Sequence, residues 1–399
     1  MTARSFRIRF STCYALMMMG SGVQLPFLPL WLQAKGMSVG QIATIVAAMM
    51  AVRVAGAPLF AFLADKTGDR VRVIRLCAVT ALIAYLTLPF MGSFNQILLI
   101  AILAGFLFAP VFPLTEGFSV DASAYHGLDY GHIRLWASLS FLAGSTLSGA
   151  LLTQISAVDT AWLMAIAQGA AVVAAFLLPP DPLKREKNTS ATPVQFREAL
   201  KFLFLSRFTI FLFAASLANA SHGMMYSVST VHWTSLGFST MTIGLLWACA
   251  VLSEVALFAF SNRIIEKLGS PLLLCIGLVG GGARWAGMAF ASDVYVTALL
   301  QSLHAVSFAC AHLALMHFIR LTVPPNLRNT AQGLYAALAG GVMLSSVTWM
   351  SGPLYDAFGG KAYLAMAMIT IFGLGLAVGN ARLSPTVPAA AAAYGCPQR

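Results

Sequence analysis

Long apolar stretches alternate with short polar breaks along the whole chain. Their cores fall near 12–33, 40–64, 71–91, 96–120, 133–155, 159–178, 205–228, 239–262, 271–291, 295–319, 329–352 and 362–381. Each is close to the ~20 residues that a helix needs to cross the hydrocarbon core of a bilayer. The pattern therefore predicts an all-α membrane protein with twelve transmembrane helices. Breaks after the first, third and fifth spans (34–39, 92–95 and 157–159) are short and nearly uncharged, whereas breaks after even-numbered spans carry the charge.

The longest break, Pro179–Lys201, reads PPDPLKREKNTSATPVQFREALK and has the Pro, Lys and Thr content of a linker. Its end, 194–204, can form a short surface helix. It divides the spans six and six. The expected organisation is an N-terminal six-helix bundle over 1–178, a cytoplasmic linker over 179–204, a C-terminal six-helix bundle over 205–382, and a disordered tail over 383–399. An even number of spans places both termini on one side. The start, MTARSFRIRF, is basic and runs into an apolar segment too long for a signal peptide, so it reads as a retained first span.

Composition agrees with the pattern. With 59% hydrophobic residues, 9% charged residues and a mean hydropathy of +0.81, the chain has more apolar surface than a soluble fold can hide, so its partner is the lipid bilayer. The net charge of +11 is a matter of topology and does not imply nucleic acid. Of the 24 Lys and Arg, only Lys35 and Lys361 fall in outside loops and Arg53, Arg134 and Arg284 in membrane interiors. The remainder lie on one side, which marks it as cytoplasmic. The six cysteines are scattered without metal-ligand spacing, so neither a disulfide framework nor a metal site is expected.

Charges crowd most tightly in Gly56–Arg75, GAPLFAFLADKTGDRVRVIR, where a short basic loop joins the second and third spans. Phe258–Arg263 echoes this device in the second half, with Asn262 in place of the acid. Two related bundles around a central pathway follow from that echo and the six-plus-six division.

Ionisable residues within spans point to function, because each costs roughly 2.5–3.5 kcal/mol at a helix centre on insertion scales. Arg53, Glu116, Arg134, Glu254 and Arg284 lie in or at the ends of spans, together with His222, His304 and His312. Glu116 and Arg134 sit on consecutive helices and can pair, as can Glu254 and Arg284. Two structural salt bridges would be the plain account; matching pairs in both halves favour a central polar site. Arg53 has no evident acid partner and suits bidentate binding of a carboxylate. His304 and His312, eight residues apart, can face one side and relay a proton, and His222 and His317 are weaker candidates. Glu254, between Leu252 and Val255, is set for a competition between desolvation and a nearby Arg. Trp136 and Trp285 can stack on a ring.

Asp65-Lys66-Thr67-Gly68-Asp69-Arg70 resembles the loop between helices 2 and 3 of the major facilitator superfamily, G-x-x-x-D-[RK]-x-G-[RK]-[RK]. Ala61 replaces the usual first Gly and Asp69 a usual basic residue. The resemblance implies that Asp65, Lys66, Gly68, Arg70, Asn262 and Arg263 form a conformational gate. Phe27–Leu32 and the acid–Arg, acid–Arg, His order resemble lactose-permease-type proton symporters. That similarity puts Glu116, Arg134, Glu254, Arg284 and His304 on sugar-binding and proton-coupling positions. Ser307 stands where those permeases carry an acid. Leu128–Trp136, Ala109–Glu116, Arg284-Trp285 and Leu303–Leu313 are more similar to the bacterial 3-phenylpropionate transporter type, as is Arg53.

The resemblance implies a bacterial inner-membrane carrier, monomeric, multi-pass and without cofactor. It would move a small aromatic or other organic carboxylate with protons by alternating access. Substrate would meet Arg53, Glu116, Arg134, Trp136, Arg284 and Trp285, while Glu254, His304, Arg284 and His312 would couple the proton. The alternatives are a sugar or nucleoside symporter, a multidrug exporter, and a membrane enzyme or sensor. No metal set, nucleophile elbow or phosphate loop favours the last.

Overall fold

A computed structural model of the chain describes residues 3–128, 130–179, 206–323 and 327–382; the linker beyond Pro179, the tail and Asp129 lie outside them. All regular structure among the described residues is helical. The first half holds α1 (Ala3–Ala34), α2 (Val39–Thr67), α3 (Arg70–Phe90), α4 (Phe94–Ser123), α5 (Tyr130–Leu151) and α6 (Thr160–Leu177). The second holds α7 (206–235), α8 (Thr240–Ala259), α9 (Ser261–Met288), α10 (Val294–Thr322), α11 (328–358) and α12 (Tyr363–Arg382).

Ten stretches of the described residues are long and apolar enough to cross a membrane. The longest, Thr330–Asn380, contains both α11 and α12, parted by a turn at Gly359 with φ 55°. The 22-residue α5 stands outside the ten, its apolar positions diluted by Ser, Thr and Gly. Those small residues have a packing role. A Cβ on Gly144 would press on the carbonyl of Met19 in α1, and Gly149 lies against the backbone of Thr240 and Met241 at the start of α8.

One apolar core lies wholly between Phe6 and Leu178 and another wholly between Phe208 and Ala377, so each half buries its own interior. The halves also meet at the end of the molecule that carries the short 34–39 and 151–159 loops. There Gly244 of α8 packs on the Ser145 carbonyl of α5, and a Cβ on Gly352 of α11 would lie 2.7 Å from the Cα of Gly40 in α2. Only glycine permits backbones to approach so closely. Two hydroxyls reinforce the seal, Thr240 Oγ1 donating to the Gly149 carbonyl at 2.8 Å and Thr230 Oγ1 to the Pro26 carbonyl at 2.6 Å.

At the opposite, basic end, Gly68 takes the left-handed conformation (φ 68°) and closes α2, its N–H bonded to the Ala64 carbonyl. Asp69, the departure from the family loop, caps α3 by accepting from the Arg72 N–H. Arg70 pairs with Asp121 of α4 at 2.7 Å and lies over the Phe118 ring. The second half does not repeat this geometry. Asn262 and Arg263 open α9 directly, and the left-handed glycine, Gly269, comes only after a first run of helix.

The helices are interrupted in places that matter below. α2 breaks at Val52, immediately before Arg53, and α4 breaks at Ala109–Pro110. α10 and α11 carry π-helical stretches at Ala305–Cys310 and Ala336–Met343. Pro26 and Pro29 sit within an unbroken α1. Gly280 and Gly281 are packing positions in the part of α9 that follows Gly269, where a Cβ would strike Val306 and Thr370.

Candidate substrate and proton site

The break at Val52 delivers Arg53 to a cavity of about 120 Å³ between α1, α2, α3 and α4, with Tyr226 of α7 completing the wall. Leu25, Leu28, Val46, Met49, Met50 and Phe108 give it apolar sides. Ser21, Gln24, Tyr85 and Tyr226 add polar groups, and the Tyr85 hydroxyl donates to Gln24 Oε1 at 2.6 Å. Arg53 is exposed to this space at the middle of its span. It makes no hydrogen bond and no ion pair among the described residues. An unpaired guanidinium facing an apolar cavity presents a planar fork of donors with nothing to receive them.

A second polar group lies toward the basic end. Arg134 Nε meets Glu116 Oε1 at 3.3 Å, so the pair placed on consecutive helices forms. The Tyr130 hydroxyl donates to the same oxygen at 2.6 Å, and Arg134 lies over Phe112. Both charged side chains remain part-exposed, at 40% and 38%.

The third group is centred on Arg284 of α9, which is 0% exposed. Its Nη1 reaches His222 Nε2 at 3.3 Å, His304 Nδ1 at 3.0 Å and Ser307 Oγ at 3.0 Å, and its Nη2 donates to Gln301 Oε1 at 2.6 Å. Glu254 is not paired with Arg284 among the described residues. Instead Glu254 Oε2 lies 3.5 Å from His304 Nε2, so His304 stands between acid and guanidinium. Arg284 can donate only to ring nitrogens that carry no proton. That fixes His304 as the Nε2–H tautomer, pointing its proton at Glu254. His222 correspondingly directs Nδ1–H to the carbonyls of Ala218 and Asn219, 3.1 and 3.2 Å away. The π-helical turn of α10 stacks His304 on Phe308 and Phe308 on His312, with centroids 5.1 and 6.0 Å apart. Both histidines share one face, as their spacing suggests, and His312 lies within electrostatic reach of Glu254.

Several expected contacts are not made. Trp285 is fully buried, donates Nε1–H to Ser221 Oγ at 2.9 Å, and is enclosed by Tyr363 and Arg284, so it offers no face to a ligand. Arg284 does not line the Arg53 cavity and is held by protein groups on three sides, so in this structure it is an internal anchor. Trp136 is half-exposed and does not line the Arg53 cavity. Conversely, Gln24, Tyr85, Tyr226 and Gln301 escaped the sequence reading. Their only signal is an uncharged polar atom at mid-span, which charge counting overlooks. Among the described residues no three His, Cys, Asp or Glu converge as a metal site.

A helical fold with cationic and acidic side chains inside its two halves has the design of a membrane transporter, and the proteins it resembles are transporters and not enzymes. The chain belongs to the MFS_1 like family, whose model matches residues 7–380. It is 28% identical over 359 residues to the probable 3-phenylpropionic acid transporter of Escherichia coli (strain K12), spanning 88% of this chain and 91% of that protein. It is 27% identical over 374 residues to the maltose permease of Geobacillus stearothermophilus, spanning 92% of each. Among solved structures, the nucleoside transporter NupG superposes with a TM-score of 0.83 at 16% identity, over 95% of this chain and 100% of that one. A bacterial homolog to the human lysosomal transporter Spinster, in its inward-facing and unoccupied conformation, gives 0.77 at 13% identity over 96% and 98%. At such identities these two structures speak for the fold alone.

Proposed function

We propose that this transporter carries a small aromatic carboxylate together with protons by alternating access, with Arg53 holding the carboxylate. The observation that carries the reading is the unpaired Arg53 facing an apolar cavity of about 120 Å³. A cavity of about 150 Å³ in an engineered protein core accepts one benzene ring. The space beside Arg53 is of single-ring scale and is not closed on every side, so a ring lies against its apolar wall while a short acidic arm reaches the guanidinium. The similarity to a probable 3-phenylpropionic acid transporter points the same way. Glu254, with His304 Nε2 against it, is the group we assign to take up and release the proton, and His312 supports it. Glu116 and Arg134 orient the pathway at the basic end, and the Asp65–Arg70 loop with Asn262 and Arg263 gates it. We place the protein in a bacterial inner membrane as a monomer with both termini cytoplasmic.

Uptake by proteoliposomes under an inward proton gradient tests this reading, with labelled 3-phenylpropionate, benzoate, a disaccharide and a nucleoside. Wild type should accumulate an aromatic acid. Arg53→Gln should weaken its binding at least about a hundredfold, since hydrogen bonds to a charged group contribute roughly 1.5–3 kcal/mol each and a bidentate contact makes two. Glu254→Gln should abolish gradient-driven accumulation and spare exchange. Accumulation of a neutral solute that ignores Arg53 would overturn the substrate and leave the family untouched.

A further inference from the structure

The Arg53 cavity shares one wall with a second, much smaller space of about 10 Å³. Ser21, Gln24, Tyr85 and Phe108 line both, whereas Met17, Gly20, Met164 and Gln168 line only the smaller one. Gln168 of α6 is only 5% exposed, and its Nε2 is buried with no hydrogen-bond partner. Nor does its amide oxygen accept a bond among the described residues, so both ends of the amide are unused. Leaving a buried amide unpaired costs about 1–3 kcal/mol. Ser21 likewise makes no hydrogen bond among the described residues, and Gln24 spends its oxygen on the Tyr85 hydroxyl. The annex thus gathers the Gln168 amide, the Ser21 hydroxyl, the free amide N–H groups of Gln24 and a lone pair of Tyr85 around a space of one oxygen atom.

We infer that this annex is the specificity pocket of the Arg53 site and takes a ring hydroxyl, which makes the preferred substrate a hydroxyaryl carboxylic acid. This rests on the proposed binding of an aromatic acid by Arg53. A hydroxyl both donates and accepts, and so matches Gln168 whichever way its amide is turned. A bare C–H would leave that amide unpaired. About 10 Å³ is near the least space that holds one water. A methoxy or a second carboxylate is accordingly too large. The ring itself belongs in the apolar cavity between Arg53 and the shared wall, and Phe108, which lines both spaces, is placed to pack against it.

Equilibrium binding to the purified full-length protein tests the inference. The ligands are 3-phenylpropionate, its 2-, 3- and 4-hydroxyphenyl analogues, and the corresponding methoxy compounds. One hydroxy isomer should bind wild type about tenfold more tightly than the unsubstituted acid, the worth of one well-placed hydrogen bond. Its methoxy counterpart should bind more weakly than either. Gln168→Leu should erase the preference and leave the affinity for 3-phenylpropionate unchanged, and that retained affinity also reports a folded protein. Ser21→Ala should reduce the preference by a smaller factor.

A resident water in the annex predicts otherwise. All hydroxy isomers would then bind no better than the parent acid in wild type, and that result overturns the inference whether or not the variants fold. Equal tolerance of methoxy would overturn it too. The underlying reading fails separately, if no aromatic acid binds or if binding ignores Arg53→Gln. Binding that depends on Arg53 but shows no hydroxyl preference removes the specificity pocket alone.

Discussion

Arg53 and Arg284 are the same side chain, each set inside one half of the molecule, and their surroundings could hardly differ more. Arg284 is sealed at 0% exposure, with Nη2 donating to Gln301 and Nη1 within reach of Ser307 and two histidines, while its Nε has no partner among the described residues. Arg53 faces a cavity and donates to nothing among the described residues. Neither has a carboxylate in contact, but only the Arg284 charge is buried, whereas that of Arg53 is open to its cavity. Burying such a charge is costly, and a fold keeps it only where its donors are used. Arg284 uses both Nη groups within the protein, in a knot that reaches Glu254 through His304. Arg53 has its donors open, and the missing acceptor has to come from outside. Charge alone therefore does not say whether an intramembrane arginine serves structure or ligand; the number of filled donor positions does.

The largest test of this contrast compares Arg284→Leu with Arg53→Leu. Removing Arg284 strands Gln301 Oε1, His304 Nδ1 and Ser307 Oγ, and unpaired buried groups cost about 1–3 kcal/mol each. Relief of a buried charge offsets part of this. We expect a net loss of about 3 kcal/mol, read as a clear fall in the thermal unfolding temperature of purified protein without ligand. Arg53→Leu should leave that temperature unchanged or raise it slightly, while abolishing aromatic-acid binding. Equal destabilisation by the two substitutions would break the distinction between knot and socket.

Much of this was legible from the sequence, and the reason is the bilayer. Spans must be long and apolar, loops on one side must be basic, and interior charges must have a purpose. Those three constraints expose the helices, the Asp65–Arg70 loop and all five interior charges before any coordinates. Pairing is less legible. Glu116 and Arg134 sit on adjacent helices joined by a short turn, so sequence distance approximates contact. Glu254 and Arg284 are adjacent in order too, but His304 from α10 comes between them, and only helix rotation decides that. The walls of the Arg53 cavity were invisible for a different reason. Gln24, Tyr85, Gln168 and Tyr226 each look like an ordinary polar residue tolerated in a span, and their meaning lies in which helices face one another. The tryptophans misled because a near neighbour in sequence points elsewhere around a helix, about 100° away for Trp285 beside Arg284 and about 160° for Trp136 two residues from Arg134.

His222→Phe sharpens the comparison at a smaller scale. The ring keeps its shape against Trp285, where the two now meet edge-on at 5.0 Å, and loses the acceptor for Arg284 together with the Nδ1–H contacts to helix carbonyls that already accept within the helix. One charge-assisted hydrogen bond is then missing, about 1.5 kcal/mol, and the unfolding temperature should fall by roughly half as much as for Arg284→Leu. Binding of the aromatic acid at Arg53 should not change. A variant that kept full stability would show that Gln301, Ser307 and His304 suffice to hold Arg284.

Tyr226→Phe should give the smallest effect, and it asks whether the two arginine sites are joined. Tyr226 comes from α7 in the second half but lines the Arg53 cavity in the first. Its hydroxyl makes no hydrogen bond among the described residues, and it lies within electrostatic reach of Arg53, Glu254 and Arg284. A carboxylate seated on Arg53 has lone pairs to spare after a bidentate contact, and this hydroxyl is a donor supplied by the opposite half. Binding would then tie the two halves together through the ligand, as a carrier that must move them in concert requires. Loss of the hydroxyl should weaken carboxylate binding about fivefold, near 1 kcal/mol, and leave the ligand-free unfolding temperature as it was. The corresponding neutral alcohol, 3-phenylpropanol, should bind wild type weakly and be indifferent to the change. If both ligands weaken equally, Tyr226 merely packs against the ring, and the link between socket and knot has to run through the helices instead.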